Sequence, residues 1–170
     1  MNNFPTDLNE NNVFQQTKTY LTDLGFHIVD EDLSRPWGGF LVVDETQSSQ
    51  FIQRFFPGVS FKEFEGFSKL SPKFLIVAPQ ARLSWQYHHR RSEIWRVIHG
   101  NVKVVISETD DETMPQLYAE GELIRLKQGE RHRLIGTDGY GIVAEIWQHT
   151  DPANPSDESD IIRVQDDFGR

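Results

Sequence analysis

From Lys73 to its end the chain is a succession of short runs rich in β-branched and aromatic residues: KFLIVA, LSWQYH, EIWRVI, VKVVIS, QLYAE, ELIRLK, HRLIG, YGIVAEIW and DIIRV. Gly, Asp, Asn and Pro separate them at close intervals. Such spacing predicts an all-β antiparallel sandwich or barrel of the jelly-roll kind. The chain ahead of this region reads differently. Val13, Thr17, Tyr20, Leu21 and Leu24 recur at helical spacing, with Asn residues suited to the N-cap before them and Gly25 suited to the C-terminal stop. FHIV at 26–29 and GGFLVV at 38–43 read as strands, and SSQFIQRFF at 48–56 as a short helix that Pro57 and Gly58 end. DPANPSDESD at 151–160 reads as a flexible polar loop before the last strand. The expected organisation is an N-terminal helical extension over 1–34 and one barrel domain over 35–170.

Composition narrows the partners. A chain of 170 residues with twelve Phe can bury one sizeable core. Its formal net charge of -9 argues against a general nucleic-acid or anionic-membrane surface, because both need clustered positive charge. A small molecule fits better. The absence of cysteine excludes disulfides, a thiol nucleophile and Cys-ligated zinc. With no basic-apolar leader at the start and no run of 18 apolar residues, a cytoplasmic location is expected.

The stretch WQYHHRRSEIWRVIHG, residues 85–100, carries more polar chemistry than a hairpin needs. Alternate side chains of a strand share a face, so Gln86 and His88 point one way while Trp85, Tyr87 and His89 point the other. HHRRS is short enough to turn the chain into EIWRVI, which returns Glu93 opposite His88. His132 opens a later strand after the turn at Gly129 and Glu130. Two imidazoles, a carboxylate and a carboxamide oxygen make a set suited to a divalent metal with an open position. A hydrogen-bonded core network fits the same residues.

The wider spacing, Q-x-H-x4-E-x6-G over 86–100 and G-x5-K-x-G-x2-H over 121–132, resembles the two cupin motifs. RPWGGF at 35–40, RLSWQYHHRRSEIWRVIHG at 82–100, GERHRL at 129–134 and DIIRVQDDFGR at 160–170 are similar to the cupin domain of type II mannose-6-phosphate isomerases. The resemblance implies a cupin fold, a double-stranded β-helix or jelly-roll barrel. It also implies Gln86, His88, Glu93 and His132 as ligands of zinc, another divalent metal being an alternative, and interconversion of mannose 6-phosphate and fructose 6-phosphate. The nucleotidyltransferase domain that many type II enzymes carry has no counterpart here, Pro79-Gln80 stands where Pro-Gly is usual, and 47–71 looks inserted. Substrate identity is therefore open. A different phosphosugar such as a heptose phosphate, a non-catalytic sugar-binding cupin and a metal-dependent oxygenase are the alternatives, and a homodimer is compatible with the fold.

Charge and chemistry add candidates. Nine of the seventeen Lys and Arg residues fall between 82 and 133. By parity Arg82 and Arg91 face inward, with Lys73 on the preceding strand, and these three are the expected contacts to a substrate phosphate. Proton transfer between C1 and C2 through an enediol needs a base near neutral pH. Glu145 in IVAEIWQ is the first candidate, ahead of Lys73 and a zinc-bound hydroxide, with Arg91 also placed in the catalytic set; a buried Glu near a metal equally suits support of a ligand. Trp37, Trp85, Trp95 and Trp147 are expected as core or wall residues, and His89 as an outward neighbour of the ligand.

Overall fold

The computed structural model describes residues 3–170, so the first two residues of the expected extension lie outside the described residues. Helix α1 (Val13–Asp23) precedes β1 (Ile28–Arg35) and β2 (Gly38–Val43); helix α2 (Ser48–Phe55) follows. The remaining strands are β3 (Lys73–Val77), β4 (Trp85–Tyr87), β5 (Arg91–His99), β6 (Val102–Ser107), β7 (Gln116–Tyr118), β8 (Leu123–Leu126), β9 (Arg131–Gly136), β10 (Gly141–His149) and β11 (Ile162–Gln165). They form two antiparallel sheets, one in the order β1-β2-β3-β10-β5-β8 and the other β11-β4-β9-β6-β7. This is the expected all-β jelly roll. Strand β1 starts within 1–34 and pairs along β2, so this part of the N-terminal segment adds an edge strand to the larger sheet.

The larger sheet is covered on both faces, which explains why all nine residues of β10 are buried. An antiparallel sheet with one wet face would alternate instead. Phe74, Ile76, Ile94, Ala144 and Ile146 point to the outer face, where they meet Val13 and Leu21 of α1 and Phe51, Ile52 and Phe55 of α2. Leu75, Val77, Trp95, Val97 and Val143 point inward and pack with Val102, Val104 and Leu134 of the smaller sheet. The segment that looked inserted therefore supplies the outer layer. Phe51 is fully buried, and its ring meets Phe26, Phe55 and Phe74 edge-on. Burial of one such side chain contributes about 1.5–3 kcal/mol.

The stop signals act as expected. Gly25, at φ +85°, accepts the left-handed conformation that ends α1. Asn12 stands at the N-cap, but its side chain turns back to Asn9 N and Asp7 O and leaves the first turn of the helix uncapped. Gly100, at φ +70°, turns β5 into β6, and a Cβ there would lie 2.6 Å from the carbonyl oxygen of Tyr140.

The 151–160 segment departs from its expectation as a flexible loop. Ser156 and Asp160 are 2% and 4% exposed. The Asp160 carboxylate accepts from the backbone N–H groups of His89 and Arg90, and from the hydroxyl of Ser156. A polar sequence reads as mobile until its carboxylate finds buried donors. Here it is a strap fastened across the chain reversal between β4 and β5.

Candidate metal centre

Three elements bring the imidazoles and the carboxylate together. Gln86 in β4 is directly opposite His132 in β9, which puts the two side chains on one face of the smaller sheet. His88 follows at the end of β4, and two further contacts fix the reversal: Gly129 N donates to His88 O and Gln128 Nε2 to His89 O. Glu93 then enters on β5 from the larger sheet. His88, Glu93 and His132 are each 2% exposed, and their ligand atoms lie within 4.8 Å of one another. His88 Nε2 is 3.3 Å from His132 Nε2 and 3.3 Å from Glu93 Oε1.

The tautomers follow from the partners. Nδ1 of His88 lies 3.0 Å from the carbonyl oxygen of Asp160, and Nδ1 of His132 lies 3.0 Å from that of Glu130. A carbonyl oxygen only accepts, so each Nδ1 carries the hydrogen and each Nε2 presents its lone pair inward. Burial pulls the His88 imidazole down to about 3 against the attraction of Glu93, and burial likewise lowers His132. Both rings are therefore neutral. Burial alone would raise Glu93, yet the Arg91 guanidinium, by its charge and its hydrogen bond, holds it below the usual carboxylate range. Two inward lone pairs and an ionised carboxylate within reach of one point are the donor set of a divalent cation, and carbonyl contacts to the far ring nitrogens are how protein ligands of metals are commonly held. The buried His–Glu–His group can hold a metal.

Each expected site residue has a definite place. Gln86 lines the adjoining pocket, its Oε1 accepting from Ser84 Oγ at 2.5 Å. Arg91 lies in the interior, at 2% exposure. Its Nε donates to Glu93 Oε1 at 2.7 Å, its Nη1 donates to Ser156 Oγ at 2.7 Å, its Nη2 sits 3.1 Å from His88 Nε2, and the guanidinium stacks 3.5 Å from the Trp147 ring centroid. Lys73 and Glu145 are paired across β3 and β10, and Trp95 is opposite Glu145 on β5, so the three share one row of the inner face. The Lys73 ammonium rests 3.6 Å over the Trp147 ring. Burial, with the charge of Glu93, pushes the Glu145 carboxyl up to about 8 against the pull of Lys73 and Arg91, and burial lowers Lys73.

Arg82 differs from its inward expectation. It lies outside the pocket lining and donates through Nε and Nη2 to the Asp167 carboxylate. Strand alternation from Gln86 does not reach it, because β4 begins at Trp85 and Arg82 makes only an isolated bridge to Ile135. His89 is exposed, as expected of the outward neighbour.

Sequence reasoning missed four contributors. Trp95 Nε1 donates to both Glu93 Oε2 and Glu145 Oε1, each at 3.0 Å, and so ties the ligand group to the acid. Its position two residues after Glu93 was the available signal. Ser156 and Asp160 of the strap had none. Buried His149 contacts Ser71 Oγ at 2.8 Å through Nε2 and accepts from Ser156 N through Nδ1. The pocket beside the candidate ligand group is lined by Lys73, Gln86, Arg91, Trp95, Glu145 and Trp147 among others.

A jelly roll with a His–Glu–His group held between its two sheets is a cupin. Solved structures agree on the fold: an oxalate decarboxylase of Bacillus subtilis superposes with a TM-score of 0.55 at 15% identity, covering 79% of this chain and 30% of that one. Hazelnut vicilin superposes with a TM-score of 0.54 at 12% identity, covering 76% of this chain and 34% of that one. The chain belongs to the mannose-6-phosphate isomerase C-terminal family, whose pattern matches residues 50–166. Among curated relatives, the alginate biosynthesis protein AlgA of Pseudomonas aeruginosa is 32% identical over 126 residues, 74% of this chain and 24% of that protein. A mannose-1-phosphate guanylyltransferase of Escherichia coli is 27% identical over 144 residues, 85% of this chain and 24% of that protein. The chain thus spans about a quarter of the length of these relatives. Among the described residues no helix is long and apolar enough to cross a membrane.

Proposed function

We propose that the protein is a metal-dependent sugar-phosphate isomerase that interconverts mannose 6-phosphate and fructose 6-phosphate, with zinc on Gln86, His88, Glu93 and His132. The observation that carries this reading is the juxtaposition of a buried metal-ligand group with a buried carboxyl, at about 8, that lines the adjoining pocket, the two joined through a single indole N–H. Aldose to ketose conversion removes the proton on C2 and delivers one to C1. Glu145 suits both transfers, because a group titrating near the working pH can accept and then return a proton. As carboxylate it takes the C2 proton, the C–H electron pair forms the C1–C2 double bond, the C1 carbonyl pair moves onto O1, and O1 takes a proton from water. The enediol then gives its O2 proton to the hydroxide so formed, restoring a carbonyl at C2, while the C1–C2 pair takes the proton of Glu145 at C1. Lys73 and Arg91 provide positive charge along the same wall where the enediol oxygens carry their charge. When bound, a divalent metal supplies Lewis acidity to those oxygens. Trp37, Trp95 and Trp147 line the pocket and limit water at the reacting carbons.

The test is turnover of mannose 6-phosphate by zinc-loaded protein, read by a coupled assay for fructose 6-phosphate, with Glu145→Gln alongside. Expected are activity in the parent, its loss to a chelator and loss of kcat in Glu145→Gln with metal retained. Full metal occupancy with no turnover of any phosphorylated aldose would leave a sugar-binding cupin instead.

A further inference from the structure

We infer that Arg163 on β11 is the phosphate-holding residue of the pocket and the one that selects phosphorylated over free sugars. The assignment deepens the isomerase reading, on which the identity of the sugar rests, and it begins from register. Arg163 is directly opposite Gln86 in the β11–β4 pair, and Gln86 is directly opposite His132 in the β4–β9 pair. Residues opposite one another in antiparallel strands project to the same face. His132, Gln86 and Arg163 therefore form one row across three strands, with Arg163 two strand spacings, or roughly 10 Å, from the metal-ligating backbone. A sugar whose C1–C2 end lies at the ligand group would extend its phosphate along this row.

Charge partners single out Arg163 from the other cations of the pocket. The lining carries Arg35, Lys73, Arg91, Arg163 and Arg170 against Glu145 and Glu158, a surplus of positive charge in a molecule of net charge -9. Arg35 is paired with Asp32, Arg91 with Glu93 and Arg170 with Asp166, while Lys73 rests on the Trp147 ring. No carboxylate among the described residues pairs with Arg163, and its Nε is buried without a hydrogen-bond partner. Leaving a buried charged donor unmatched costs free energy, so such a group marks where a ligand completes the structure. The guanidinium fork can give two parallel charge-assisted hydrogen bonds to phosphate oxygens. An apolar ligand would leave that donor unmatched, and a neutral hydroxyl would satisfy the N–H without balancing the charge.

The experiment titrates metal-loaded protein with inorganic phosphate by calorimetry and follows KM and kcat for mannose 6-phosphate. Arg163→Gln should weaken phosphate binding and raise KM by about tenfold to a hundredfold with kcat within a few-fold of the parent. Arg163→Lys should recover part of the loss, and it gives the readout if the Gln variant fails to fold. Arg125→Gln, which alters an exposed arginine paired with Glu63, should change neither quantity. Unchanged phosphate affinity in both folded Arg163 variants overturns the assignment even if isomerase activity is present. Phosphate binding that depends on Arg163, with no turnover of any phosphoaldose, sustains the anion site and removes the isomerase reading.

Discussion

Trp95→Phe isolates the connection between the ligand group and the acid. The indole N–H is shared between Glu93 Oε2 and Glu145 Oε1 at 3.0 Å each, and both carboxyls are at most 4% exposed. Phenylalanine retains most of the ring packing against His132, whose centroid is 5.6 Å away in edge-to-face geometry, but it removes the donor. A hydrogen bond to a charged group contributes about 1.5–3 kcal/mol, and loss of the partner that orients a metal ligand typically costs about tenfold to a hundredfold in affinity. The two ranges agree, since about 1.4 kcal/mol corresponds to a factor of ten. Zinc competition against a chromophoric chelator should therefore show binding weakened by about tenfold or more. Urea denaturation of the metal-free protein should show a stability loss of about 2–3 kcal/mol. Trp85→Phe is the matched control, because the Trp85 indole is equally buried yet donates to the carbonyl of Asp110 and to neither carboxyl. It should lose stability and keep zinc affinity. Zinc affinity within twofold of the parent in Trp95→Phe, or an equal loss in Trp85→Phe, would refute the idea that this indole orients Glu93.

Two other outcomes follow from the same geometry. His88→Ala and His132→Ala should abolish stoichiometric zinc by metal analysis, whereas His89→Ala, altering an exposed ring, should retain it; zinc kept in His88→Ala would overturn the ligand set. In metal-stripped protein Glu145 binds its proton more tightly folded, at about 8, than at its ordinary 4.5, so its contribution to stability is present below about 4.5 and is lost as pH rises toward 8. Urea midpoints should accordingly show that Glu145→Gln gains stability relative to the parent as pH rises across this window, and a pH-independent difference would exclude the raised value.

How much was legible in the sequence depended on whether alternation could be counted within a continuous strand. It could from Arg91 to Glu93, both within β5, and the same count carried on would have put Trp95 on their face, although the sequence did not show its indole donating to both carboxyls. It failed for Arg82, where the chain had not yet entered β4. Long-range partners were harder to read. Nothing in DPANPSDESD indicates that Asp160 will meet two backbone N–H groups 70 residues earlier, because burial of a short polar segment is decided by donors elsewhere in the fold. The outer layer was half legible: the apolar spacing of SSQFIQRFF indicated a helix, but only the burial of both faces of β10 shows that this helix completes a second core.

The division of the site between the two sheets has a consequence for its chemistry. Lys73, Glu145 and Trp95 lie in one row of the larger sheet, held by direct backbone pairing on β3, β10 and β5. The members of the candidate ligand group do not share a sheet: His132 belongs to the smaller one, with Gln86 opposite it, Glu93 to the larger one, and His88 stands where the chain crosses between them. Their convergence depends on the crossing being held, which is the task of the Asp160 carboxylate on the backbone of His89 and Arg90 and of Gly129 N on His88 O. The row of Lys73, Glu145 and Trp95 is thus fixed by hydrogen bonds that form with the sheet itself, while the candidate ligand group is fixed by tertiary contacts between sheets. A cation that draws both sheets to one point adds its binding free energy to that weaker junction, since metal affinity for a folded site is also folding free energy. Arg91 stands at the same junction, touching Glu93 from the larger sheet, His88 at the crossing and Ser156 of the strap, so the guanidinium and the metal ligands hold the two halves of the pocket in register together.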